Sequence, residues 1–175
     1  PAGSRSARRV LALVPDEPAG LDELTVAEQA ALLGALAGAP REAGAYPIAA
    51  LGLETRRDAR LGSLSRGLRR RAALAAALAA RPRILLVDEV TATLDVATVH
   101  VVRDLVRRHV DAGGSALVTT HDLDFAESAC DRVHVLRAGR LVATGPASVT
   151  RPLAGLAGVG RREAPAEVDD AVAAG

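Results

Sequence analysis

The chain has 175 residues, 49% of them apolar, and a net charge of +1. That length implies one domain, with a core of Ala, Leu and Val because only one Phe and one Tyr are present. The near-neutral charge points to neither nucleic acid nor a membrane surface, the single cysteine excludes an intramolecular disulfide, and no apolar run approaches the roughly 20 residues a membrane span needs.

Residues 10–14 (VLALV) are a short apolar run stopped by Pro15, which reads as a buried strand. A loop with Pro18 and Gly20 follows. Thr25 and Glu28 have the spacing of a capping box, opening a helix that ends near Ala37, before Gly38 and Pro40. Residues 41–47 read as a loop and 48–52 as a short helix. Ser65 is the expected N-cap of a helix over 67–80, ended by Arg81-Pro82. Residues 84–87 (ILLV) read as a central parallel strand that delivers Asp88 and Glu89 to the edge where α/β sheets place ligands. Val99, Val102, Leu105, Val106 and Val110 give residues 96–112 a helical period, ending at Gly113-Gly114. Residues 115–119 are a further buried strand, and 122–129 a helix with acids in its first turn. A hairpin is expected from 133–137 and 141–144, turning at Ala138-Gly139. Residues 151–175, rich in Ala, Gly and Pro, read as a flexible tail. The pattern predicts a parallel α/β core with an inserted helical subdomain. The expected division is a core strand and loop over 1–20, the helical subdomain over 21–83, the rest of the core over 84–148, and a tail from 149.

Several residues carry chemistry. Hydrolysis of a phosphoanhydride needs a carboxylate near a hard cation and a base for the attacking water, and Asp88 with Glu89 supplies both; the plain alternative is a solvated strand end. Ser65, at a helix start, combines a hydroxyl, free backbone N–H groups and a positive dipole end, which suits an anion, although Ser is also an ordinary N-cap. His121 follows an apolar strand and two Thr, and a lone His is more often structural. Pro15-Asp16-Glu17-Pro18 is either a Pro-flanked turn or an acid aimed at a cation. Arg69, Arg70 and Arg71 read as a solvated face, or alternatively as a face docked on a transmembrane partner. His100, His109 and His134 lie inside regular elements, and no pair has metal-ligand spacing.

Taken together, Leu64-Ser65-Arg66-Gly67, the run from Ile84 to Glu89, Leu94-Asp95 and Thr120-His121-Asp122 resemble, in that order and spacing, the C-terminal half of the ATP-binding subunit of an ABC transporter. The resemblance covers roughly residues 9–145. It implies a partial P-loop NTPase (RecA-like) parallel sheet with an ABC-type helical subdomain. It also implies ATP and Mg²⁺ as cofactors. Asp88 would reach Mg²⁺ through water, Glu89 would be the catalytic base, and His121 would contact the γ-phosphate. Ser65 and Gly67 would cover the ATP of a second ATP-binding subunit in a homo- or heterodimer, with Asp95 also at the nucleotide. Asp16 stands where the family has a Gln that touches Mg²⁺ and couples the site to the membrane domain. Val90 replaces the usual Pro and Thr93 a usual Gly. Arg66 replaces a Gly, and with Asp16 it suggests the exporter-like subgroup. All 22 basic residues are Arg, so the chain holds no P-loop Lys, and it has no Met. The expectation is therefore a fragment of a subunit at the cytoplasmic face of the cell membrane, powering export through a transmembrane permease. The rival readings are a degenerate, non-catalytic subunit that lends its signature helix to a partner ATPase, and a soluble ABC-type ATPase.

Overall fold

The structure is a computed structural model and describes residues 10–17 and 21–156. The chain divides into two compact units, one running to Cys130 and one beginning at Asp131.

The first unit is built on three parallel strands, β1 (Leu11–Val14), β2 (Ile84–Val87) and β3 (Ser115–Val118), in spatial order β1-β2-β3. The register runs from Leu11, Ile84 and Ser115 at one end to Val14, Val87 and Val118 at the other. Side chains alternate across a strand. Val14, Leu85 and Val87 therefore sit in the buried core, with Ala12, Ala116 and Val118 packed against it. The opposite face, with Leu11, Leu13, Ile84 and Leu117, is exposed among the described residues. The continuous apolar runs predicted strands covered on both faces; these strands are covered on one.

Between β1 and β2 lies a helical insert. Helix α1 (Val26–Ala37) opens on the expected capping box, Glu28 N–H to Thr25 Oγ1 at 3.2 Å and Thr25 N–H to Glu28 Oε2 at 2.8 Å. It closes on Gly38, whose φ of +78° is the left-handed conformation glycine enters without a Cβ penalty. Helix α2 covers Ala45–Ala50, earlier than the sequence suggested, after a 3₁₀ turn at Arg41–Gly44. Pro47 falls in its first turn, where its missing N–H has no intrahelical acceptor to serve. Helix α3 (Arg66–Ala79) packs against α1, α2 and β1. Its buried side are mostly Ala, which permits close approach.

After β2, helix α4 (Val96–Asp111) packs on β3 and on α5 (Leu123–Ala129). The second unit is a hairpin of β4 (Arg132–Arg137) and β5 (Arg140–Pro146). Its turn is Ala138-Gly139, as expected, and both residues lie at positive φ. A 3₁₀ turn (Ala147–Val149) follows, and then helix α6 (Thr150–Leu156), which occupies the start of the stretch expected as a flexible tail; the remainder of that stretch lies outside the described residues.

Candidate active site

Three strands end at one edge, and the acids follow directly. Asp88 N–H donates to Val14 O at 2.8 Å, and Thr119 N–H donates to Val87 O at 2.9 Å, so the ladder continues one residue past β2 and β3. This places Thr119 beside Asp88. The Thr119 hydroxyl donates to Asp88 Oδ1 at 2.5 Å and accepts the Glu89 N–H at 2.8 Å. Glu89 itself turns into the left-handed region, φ +48°. Its Oε2 lies 2.9 Å from His121 Nδ1, a hydrogen bond in which the carboxylate accepts. Asp88, Glu89 and His121 thus meet at the carboxyl edge of the sheet. The histidine side chain is 80% exposed. Val90, where the family has Pro, donates its N–H to Thr119 O at 3.0 Å, and Thr91 Oγ1 meets Thr120 Oγ1 at 2.9 Å.

Asp16 reaches this edge through Arg70, which the sequence reads as part of a solvated face or a face docked on a transmembrane partner. Arg70 is 3% exposed, not part of a solvated face. Its Nη1 donates to Asp16 O at 2.6 Å and to Asp16 Oδ1 at 3.0 Å, and its Nη2 donates to the carbonyls of Asp88 and Glu89. The signal was present. Arg70 lies three residues after Gly67 and four before the buried Leu74, on the inward stripe of α3. Arg69 and Arg71 are partnered too, the first with Asp22 at 3.5 Å.

The remaining predicted residues form a neighbouring group. Ser65 caps α3 by accepting the Leu68 N–H at 3.4 Å and is exposed. A Cβ on Gly67 would stand 3.0 Å from Thr93 O, so the helix start is packed closely on the 91–95 loop, and a side chain there would push that backbone back by a few tenths of an ångström. Asp95 caps α4, accepting from Thr98 N–H at 2.8 Å and Thr98 Oγ1 at 3.0 Å, and pairs with Arg71 Nη2 at 2.5 Å. The Thr98 backbone bond first, then its hydroxyl, with Arg71 adding less, hold this carboxyl below the usual range. Arg66 pairs with Glu17 at 3.3 Å and Asp16 at 3.8 Å.

Among the described residues no group of three or more His, Cys, Asp or Glu is arranged as a metal cage. Mg²⁺ seldom needs one, since it keeps several waters and takes one or two carboxylates beside phosphate oxygens. An exposed Asp88 with one oxygen engaged by Thr119 fits that demand.

Residues 2–92, just over half the chain, match the model of the ABC transporter family. The chain belongs to that family. Methionine import ATP-binding protein MetN 1 of Burkholderia ambifaria is 38% identical to this ABC chain over 151 residues, covering 83% of it and 44% of the relative. Nod factor export ATP-binding protein I of Neorhizobium galegae is 43% identical over 94 residues, covering 54% and 27%. The ABC chain therefore spans less than half the length of the curated relatives it matches. A dimeric ATP-binding cassette solved in a post-hydrolysis state with ADP and Pi superposes with a TM-score of 0.74 at 25% identity, over 82% of this chain and 65% of that one. A solved ATP-binding subunit of an ABC transporter gives 0.76 at 24% identity, over 91% and 67%, and carries the fold alone. The fold is thus the α/β cassette expected. The alignments that span most of the chain are with proteins named for import, so they do not support the exporter-like subgroup.

Proposed function

We propose that this chain is part of an ATP-binding and ATP-hydrolysing subunit that powers a transporter through a separate transmembrane permease. The observation that carries the reading is the Glu89–His121 contact of 2.9 Å beside Asp88, at the edge of a parallel sheet. In it, Glu89 Oε2 is occupied by His121, which leaves Oε1 to take the proton of the attacking water. His121 would contact the γ-phosphate, and Asp88, one of whose oxygens is engaged by Thr119, would hold Mg²⁺. Bound MgATP supplies the phosphoanhydride and the charge neutralisation. Ser65 and Gly67 cover the nucleotide of a second ATP-binding subunit from the N-terminus of α3. In this reading the chain sits at the cytoplasmic face of the membrane through its permease; among the described residues no helix is long and apolar enough to cross a membrane.

For direction, the export reading has Arg66, Asp16 and the Nod factor alignment behind it, and the import reading has the longer alignments. Uptake and efflux assays in vesicles carrying the natural protein and its permease decide between them.

A Lys-free sequence is also compatible with a second reading, a degenerate, non-catalytic subunit that only lends its signature helix to a partner ATPase. Phosphate release by the natural protein and its Glu89→Gln variant separates the two. The catalytic reading expects turnover to fall about 10²–10⁴-fold in the variant with ATP binding retained. Turnover that survives the substitution, or a wild type that releases no phosphate, rejects it.

A further inference from the structure

We propose that Arg70 is a positioning residue: it fixes the backbone of the base Glu89 and ties that base to the Asp16 loop. The inference rests on the catalytic reading of Glu89 above. A guanidinium buried to 3% exposure must find acceptors, and this one takes them from two segments other than its own helix. Nη1 holds Asp16 by its carbonyl and its carboxylate, and Nη2 holds the carbonyls of Asp88 and Glu89. Those two consecutive carbonyls converge on one donor because Glu89 adopts φ +48°. For a non-glycine residue that conformation persists only where the surroundings over-determine it. Arg70 supplies that determination from one side, and Thr119, which accepts the Glu89 N–H, supplies it from the other. The planar fork matters here. A Lys ammonium at the same place is a point charge that cannot span both sets of carbonyls in one geometry. Asp16, read from the sequence as part of a Pro-flanked turn or as an acid aimed at a cation, has Oδ1 turned to Arg70, while Oδ2 lies 3.8 Å from Arg66. The acid therefore reaches the base through Arg70.

The test uses the natural protein that carries these residues. In Arg70→Met, kcat for MgATP should fall about 100-fold, the scale of a misplaced catalytic group, while KM for ATP stays within twofold. Arg70→Lys should fall between wild type and Arg70→Met. In a Glu89→Gln background, Arg70→Met should cause no further loss. Hydrogen exchange gives a readout free of turnover: amides 89–92 should exchange at least tenfold faster in Arg70→Met, with the amides of α4 unchanged. Should Arg70→Met fail to fold, Asp16→Asn, which keeps the carbonyl acceptor, should show the same kcat split in smaller measure. An unchanged kcat, or equal losses in kcat and ATP affinity with exchange rising throughout α3, overturns the proposal. If the wild-type protein hydrolyses no ATP, the catalytic reading falls, while exchange at 89–92 still decides whether Arg70 holds that turn.

Discussion

Thr93 sits at φ +62°, a left-handed backbone that a β-branched side chain enters only under strain. The position is exposed, so no burial offsets the strain. Thr93→Gly should therefore stabilise the protein by about 1 kcal/mol, the strain relieved less the extra freedom glycine gives the unfolded chain. Urea unfolding checks this, and a lower midpoint in the variant would show that the Thr side chain makes a contact worth more than its strain. The sequence set Thr93 against a usual Gly of the family it resembles; the strained backbone itself was not legible, because φ is set by how the 91–95 loop folds. Arg70 shows the same limit. Its place on the inward stripe of α3 could be read by counting residues, but its acceptors lie 18, 19 and 54 residues away, and only the fold brings them together. Asp88, Glu89 and His121 were easier because each follows an apolar run that names its strand end.

Helix α4 begins with a cap that doubles as a titration site. Asp95 accepts two bonds from Thr98 and one from Arg71, and its carboxyl is held below the usual range, chiefly by the Thr98 backbone N–H. A carboxyl whose folded-state pKa is depressed adds stability above its unfolded value, about 3.9. That contribution is lost as pH falls through the lower folded value. Asp95→Asn, which keeps a capping oxygen but removes the charge, should be less stable than wild type at pH 7, with the gap narrowing as pH falls into the acid range. Parallel thermal melts at neutral and acid pH measure the gap, and a gap that does not narrow in acid would assign it to packing instead. Helices α1, α3 and α4 were legible because their caps and apolar stripes agree. Helix α2 was displaced by three residues because Pro47 reads as a boundary in sequence, yet a first-turn proline is compatible with a helix.

The β1–β2–β3 sheet exposes Leu13 at 59% and Leu117 at 63%, beside Leu11 and Ile84 on the same face. Contiguous apolar surface of this kind binds hydrophobic dyes. The 175-residue chain should bind such a dye, and Leu13→Glu combined with Leu117→Glu should reduce the binding without lowering the melting temperature. A fall in melting temperature would mean that the face is packed in solution. The last expectation concerns assembly, where one site's chemistry depends on two chains. Glu89 and Ser65 lie in separate parts of the site, the first bonded to His121 and the second a solvent-exposed cap of α3. If Ser65 serves the nucleotide of a second subunit, the two residues should fail differently. Glu89→Gln keeps shape and hydrogen bonding but cannot take a proton, so the pair should accumulate closed around MgATP. Ser65→Arg puts a large side chain where the γ-phosphate must approach the helix start, so the pair should stay open. Both variants of the natural protein would release little phosphate, yet size-exclusion chromatography with MgATP should show a dimer for the first and a monomer for the second. Identical elution would leave Ser65 as a helix cap alone, with the nucleotide held entirely by the chain that carries Glu89.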